Sequence, residues 1–242
     1  MQATTWRKVW TWHLWLGISF LAPIVFWLGT ALVFALWPIE TVRGRTLSTG
    51  QNAEPARLQS GMEIPSKALE GAHQVVVKVV EGHPVALADR GTGTEVWDLA
   101  GQRSLGSVLP LDWARDIARR DFKGPFAEEA VYLFPRSGSG QRIAGKGPAT
   151  IELPGEYGGP RPVYAFHLQG AAMHLYIDAL SGEVRARRRG LWRAYDLAFR
   201  LHSLDFFPDG AKRALMIAVL SVGFVLSVTG LGMSVKRLRR QP

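Results

Sequence analysis

The stretch that decides the fold is "VWTWHLWLGISFLAPIVFWLGTALVFALWPI", residues 9 to 39, which contains no Asp, Glu, Lys or Arg. As a helix rising about 1.5 Å per residue it is roughly 45 Å long. A hydrocarbon core of about 30 Å needs only about 20 residues. The run is therefore predicted to cross a bilayer and to use both interfaces. Tryptophans stand at each end: Trp10, Trp12 and Trp15 at the start, Trp37 at the finish. Their rings are apolar and their N–H groups seek water, which suits that depth. Pro38 then ends the helix. A cleaved signal peptide fits poorly, because its apolar region spans only about 7–15 residues and no small-x-small site follows.

A second uncharged run, "ALMIAVLSVGFVLSVTGLGMSV" (214 to 235), is followed by "KRLRR". Arg7 and Lys8 precede the first run; Lys236, Arg237, Arg239 and Arg240 follow the second. By the positive-inside rule both ends are cytoplasmic and the chain between them lies outside. The expected architecture is an α+β membrane protein. Its parts are a cytoplasmic tail (1–8), a first span (9–39), a tether (40–66), an outer domain of antiparallel sheets and short helices (67–190), an amphipathic interfacial helix (191–210), a second span (211–235) and a basic tail (236–242). Within the second span Gly223, Ser227, Gly230 and Ser234 form a small-residue stripe expected to pack against the first span or a second copy of the chain.

The formal charge of +9 is largely topological. Six of the positive charges sit in the two tails without an acid beside them, so the segment between is only +3. That argues against nucleic acid as a partner; membrane lipid is the expected one. The chain has no cysteine. Disulfides, thiolate catalysis, iron–sulfur ligation and covalent haem attachment are thereby excluded. There is no Gly-x-Ser-x-Gly around Ser137, Ser139 or Ser203, no phosphate loop and no His-Glu-x-x-His, so no catalytic residue is assigned.

Between the runs, "HQVVVKVVEG" (73–82) and "HPVALADRGTGTEVWDLAGQ" (83–102) read as strands, the latter folded about a Gly/Thr turn. "PLDWARDIARRDF" (110–122) reads as a helix capped by Asp112, with Asp112, Asp116 and Asp121 as surface charges among arginines. "EAVYLFP" (129–135) reads as a strand. Residues 136–161 read mainly as loop, with a short strand in "ATIEL". Residues 161–188 form the best hairpin. Its segment "PVYAFHLQGAAMHLYIDALSGE" echoes "PVALADRGTGTEVWDLAGQ", which suggests two copies of a small α+β unit.

Three histidine settings follow from spacing. His13 lies at the mouth of the first span, one helical turn from Gly17, which leaves room for a flat ring. It is either an interfacial anchor among tryptophans or a ligand for something held in the membrane. His202 falls on a stripe with Trp192, Tyr195, Phe199 and Phe206. It either hydrogen-bonds the outer domain or is a ligand at the outer surface. His167 and His174 stand opposite each other if the hairpin turns at Gly170–Ala171. Alternation puts both on the outer face with Tyr176 and Asp178. Two histidines begin a metal site, although transition metals want three or four ligands. His73 and His83 have no partner in this reading.

The chain resembles the PepSY-associated transmembrane proteins. "WHLWLGISFLAPIVFWLGTALVF" is similar to their first span, "YIDALSGEV" to the PepSY signature, and "LAFRLHSLDFF" with "VTGLGMSVKR" to their closing segment. The likeness is good at both ends and over 162–240, and poor over 41–150. It implies an inner-membrane protein with a periplasmic PepSY domain. Some larger members, with four spans where this chain has two, are haem-binding reductases of ferric siderophores. The resemblance therefore implies b-type haem as cofactor, with His13 and His202 as ligands at opposite membrane faces. Met233, or His13 of a second copy, is the candidate sixth ligand beside His13. The implied partners are a second copy of the chain or another inner-membrane subunit, and a ferric siderophore in iron uptake. The other reading is a non-enzymatic tethered PepSY module that binds or regulates a periplasmic partner.

Overall fold

The computed structural model describes residues 2–49, 62–135, 139–159, 162–169 and 173–239. The chain divides into one unit of residues 1–38 and 194–242 and another of residues 39–193. The fold is α+β, with a long apolar helix at each end of the chain and antiparallel sheets in the middle.

In the first unit, helix α1 (Gln2–Leu36) continues through Pro23 and stops just before Pro38. The last helix, α6 (Asp209–Leu238), begins directly after Pro208. Both are long and apolar enough to cross a membrane by length and composition. α1 starts seven residues before the uncharged run, taking in Arg7 and Lys8, whose straight side chains lose little rotamer freedom in a helix. The predicted interfacial helix is shorter than 191–210: α5 (Gly190–His202) ends at His202. Leu204 then takes a left-handed φ of 59°, which breaks the helix and turns the chain into α6.

In the central unit, a short helix α2 (Ile39–Val42) is followed by a 3₁₀ turn (Arg45–Leu47). The predicted tether is thus partly folded: Val42 is 1% exposed, and Thr49 N–H donates to the Asp121 carbonyl at 2.8 Å. Residues 50–61 of that tether lie outside the described residues. After α3 (Ser66–Leu69) comes a four-stranded meander of β1 (Gln74–Val80), β2 (His83–Asp89), β3 (Thr94–Asp98) and β4 (Arg103–Gly106). Helix α4 (Leu111–Asp121) leads to β5 (Glu128–Phe134), β6 (Gly140–Gly145), β7 (Thr150–Ile151), β8 (Val163–Leu168), β9 (Met173–Asp178) and β10 (Val184–Arg188). These form an antiparallel sheet in the order β10-β9-β8-β5-β6-β7.

Val85 and Val96 from the first sheet, Ile117 and Ala118 from α4, and Phe166, Leu175 and Ile177 from the second sheet share one buried cluster. Trp97, Ala86, Ala88 and Leu99 make a second cluster with Ala68 of α3. α4 is not capped by Asp112. Pro110 occupies the cap position, no side chain caps there, and Asp112 accepts from Arg115 at 3.0 Å. Nor is Asp121 a surface charge. It is 9% exposed and accepts from Arg187 Nε at 2.7 Å and from Ser48 at 2.8 Å.

The echo between the two hairpins has a physical basis at its end. Asp98 and Asp178 each close a strand and accept a backbone N–H two residues on, from Ala100 at 3.1 Å and Leu180 at 2.9 Å. Each also pairs with an arginine, Arg103 and Arg185 respectively. In the second copy Gly182 has φ +71°, and a Cβ there would fall 2.8 Å from Val80 and 2.9 Å from Ile117. Gly182→Ala combines a strained φ with overpacking of the main core, and is expected to cost about 2–4 kcal/mol in urea unfolding. An unchanged midpoint would contradict this close approach.

Candidate functional site

The faces of α1 and α6 that are partly covered recur at intervals of three and four residues. On α1 they include Trp6, Val9, His13, Leu16, Phe20, Ile24, Trp27 and Thr30; on α6, Met216, Val219, Leu226, Thr229, Gly230 and Met233. The helices run antiparallel: Trp6 approaches Gly232, His13 meets Thr229 and Gly17 faces Leu226. The small-residue stripe is only half on this face. Gly223 and Gly230 lie on it, whereas Ser227 and Ser234 are exposed. Their hydroxyls donate to their own helix, to Gly223 O at 2.8 Å and Gly230 O at 3.0 Å, so neither serine needs an interhelical partner.

His13 lies 2.7 Å by Nδ1 from Thr229 Oγ1. Thr229 Oγ1 also reaches two carbonyls of its own helix, Val225 at 2.7 Å and Leu226 at 3.2 Å. With its hydrogen on Val225, Thr229 accepts from Nδ1–H of His13 and the lone pair is on Nε2; in the other tautomer the hydroxyl donates to Nδ1. The glycine that seats the ring is Gly230, not Gly17. A Cβ on Gly230 would stand 3.4 Å from His13 Cε1, while one on Gly17 would meet only Leu226, at 3.9 Å.

The arrangement at His202 repeats this chemistry. Its Nδ1 lies 3.0 Å from Thr30 Oγ1, and Thr30 donates its own hydrogen to the Trp27 carbonyl at 2.8 Å. In the tautomer in which Nδ1–H is the donor, Nε2 is again the lone-pair nitrogen. Trp27 also donates to the His202 carbonyl at 2.9 Å. The rings of Trp27 and Phe34 each lie 5.3 Å from the imidazole. Of the predicted aromatic stripe, Tyr195, Phe199 and His202 gather around Phe34. Phe206 does not, since the helix has ended and its ring packs under Arg200 instead. His13 and Thr30, which mark the two places on α1, are about 26 Å apart at 1.5 Å per residue. Each arm thus carries one histidine near its beginning and one threonine near its end, and antiparallel packing brings them together twice.

A cleft of about 610 Å³ opens beside His13. Met233 shares it, Trp6 and Trp10 form apolar walls, and Arg7, Lys236 and Arg237 supply three cations. The volume falls within the range of small-molecule sites. In the tautomer that donates Nδ1–H to Thr229, the His13 ring has one nitrogen fixed by a hydrogen bond, as metal-ligating histidines do. With a thioether in the same cleft and no cysteine in the chain, the donor set fits a non-covalently held haem.

In the central unit His167 and His174 are cross-strand partners, as their spacing predicts; the turn at Gly170–Ala171 lies outside the described residues. Their face is not an outer one. Tyr176 and Ala165 are fully buried, in a cluster with Tyr132, Phe134 and Tyr157, because β8 and β9 sit inside a sheet covered on both sides. The two imidazoles stack at 3.9 Å and 12°. Lone pairs lie in the ring planes, so stacked rings direct them along parallel lines rather than onto one ion. Among the described residues no group of three or more His, Cys, Asp or Glu is placed to hold a metal. Instead Glu156 gathers donors: His174 Nδ1, Tyr176 OH at 2.9 Å and Arg193 Nε at 2.7 Å. Burial opposes ionisation of Glu156, but the bonds from His174 and Arg193 outweigh it and hold its carboxyl at about 2. Burial first, then the neighbouring His174, lowers His167 to about 4. His83 has a partner that spacing did not indicate, the ring of Trp113, stacked at 4.0 Å.

No family model matches this chain, and no curated protein or solved structure matches it.

Proposed function

We propose that this is a two-span inner-membrane protein with cytoplasmic termini and a periplasmic central unit, and that it holds non-covalent b-type haem through His13 and His202 as an electron-transfer component of iron uptake. The observation that carries the reading is the repeated histidine–threonine pair. In each, the imidazole bonds through Nδ1 to a threonine of the facing helix, which leaves Nε2 as the nitrogen available to a ligand. At the first site Met233 borders the same cleft and is the candidate second ligand; His13 of a second copy is the other. Bound there, the haem supplies a one-electron couple, at higher potential with a thioether ligand than with two imidazoles. The chain's own part is to orient the ring, hold the proton on Nδ1 and keep the site among apolar side chains. The place in iron uptake, with a ferric siderophore as substrate of the wider system, rests on the sequence resemblance. Thr229→Val preserves shape and removes the acceptor. It is expected to weaken haem binding by about 10–100-fold, the usual cost of losing an outer-shell partner. Unchanged affinity in a haem titration would sink the assigned role of the pair.

The orientation has its own test. A reporter active only outside the cytoplasm is expected to work when fused after residue 150 and to stay silent when fused after Pro242; the reverse would overturn it.

The second reading, a tethered module for a periplasmic partner, draws support from one feature of the central unit. A cleft of about 530 Å³ is bordered by Lys78 of β1 and Glu81 just after it, Arg120 of α4, Glu183 just before β10 and Arg187 within it. A folded protein that never takes up haem would leave this reading in place.

A further inference from the structure

We propose that the cleft beside His13 is a receptor for an anionic amphiphile, with Arg7, Lys236 and Arg237 holding its acidic head and Trp6, Trp10 and Met233 lining its apolar body. The inference deepens the haem reading where the acid is a porphyrin carboxylate. It stands without that reading where the acid is the phosphate of a membrane phospholipid.

Charge is the first argument. Among the described residues that line the cleft, Arg7, Lys236 and Arg237 carry positive charge and none is a carboxylate. α1 contains no acidic residue at all, and α6 has only Asp209, at its opposite end. Arg7 and Arg237 bring like charges to one cleft, and an anion placed between them relieves their repulsion. Topology explains why cations occur at this end of the helices. It does not require them to border a concavity shared with an imidazole lone pair. Shape is the second argument. The beginning of α1 and the end of α6 each contribute both kinds of surface to the cleft, Arg7, Lys236 and Arg237 as cations and Trp6, Trp10 and Met233 as apolar lining. Lys236 Nζ is held 4.2 Å above the Trp6 ring, so this cation is placed at the cleft rather than ranging over the surface. Arg7 and Arg237 offer the planar fork that suits a carboxylate or a phosphate. Basic pockets between membrane helices on the cytoplasmic side take acidic headgroups for these reasons.

The test uses the full-length protein in neutral detergent. Metal-free protoporphyrin IX and its dimethyl ester differ only at the two propionates, charged in the acid and methylated in the ester, and without iron neither is ligated by His13. The free acid is expected to quench tryptophan emission with an affinity about tenfold above the ester's, the worth of a charge-assisted bond at an open cleft. In Arg7→Gln/Arg237→Gln, which leaves Lys8, Lys236, Arg239 and Arg240 to maintain orientation, that advantage is expected to shrink below about threefold. Phosphatidylglycerol that displaces the free acid, where phosphatidylcholine does not, would identify the phosphate as a source; failure of both lipids to displace it would identify the carboxylate. Both outcomes support the receptor. Equal affinity for acid and ester, with no displacement by phosphatidylglycerol, would overturn it. A His13→Ala protein that retains haem but still prefers the acid would defeat the ligation and leave this inference intact.

Discussion

His13→Ala is expected to lose one of two haems per chain and keep the other, and His13→Ala/His202→Ala to lose both. The two imidazoles bond to different threonines, at places that His13 and Thr30 mark about 26 Å apart along α1, so neither can replace the other. Far-UV circular dichroism of both variants should match that of the parent. The packed faces are otherwise apolar, and removing a half-exposed imidazole leaves Thr229 still bonded to Val225. Haem is counted as iron porphyrin per chain after denaturation. A histidine serving only as an interfacial anchor would leave that count unchanged in both variants.

The second large effect lies in the central unit. Glu156 is the only acid among the groups bonded to it, and its carboxylate compensates Arg193 while accepting from His174 and Tyr176. Glu156→Ala leaves Tyr176, which is fully buried, without an acceptor and Arg193 without its counter-charge. The expected loss is about 3 kcal/mol, the low end for breaking a buried pair, because Arg193 reaches water. Chemical denaturation of the parent and the variant measures it. The same network sets an acid response. His167 is held at about 4 in the fold against an ordinary 6.5, so the unfolded chain binds the extra proton. Stability is full above about pH 6.5 and falls as pH drops toward 4. Glu156, held at about 2 against 4.5, adds a further loss as pH falls from 4.5 toward 2. His167→Gln should remove the first of these losses. A stability profile flat from pH 7 to 4 in the parent would contradict the burial of His167.

The long helices were legible because nothing competes with an uncharged run of that length, and the charges that bound it are themselves the signal. The strands of β1, β2, β3, β5, β8 and β9 were legible from their β-branched and aromatic residues. β6 was not. Its sequence "GQRIAG" carries a glycine at each end, one against the Phe134 ring and one at φ +79° against the Glu129 carbonyl. It is a strand because β5 offers it a ladder, which local propensity does not register. The buried face of the hairpin did leave a trace, since "VYAFHL" and "MHLYID" are nearly continuous in apolar residues rather than alternating. The cross-strand pairing of His167 and His174 was readable from register; the stacking of their rings was not. The threonine partners of His13 and His202 were not. Each lies more than 170 residues away in sequence, and only antiparallel packing of two helices joins them. The serine half of the small-residue stripe was misplaced for a related reason. A serine that bonds its own helix is satisfied on either face, so its size alone does not fix where it points.

The visible spectrum of the full-length protein, purified from cells supplied with haem precursor, tests the central claim most directly. The account predicts a Soret band and, after reduction, the sharp bands of a low-spin b-type haem, with two irons per chain. A folded, monodisperse and colourless protein would contradict it.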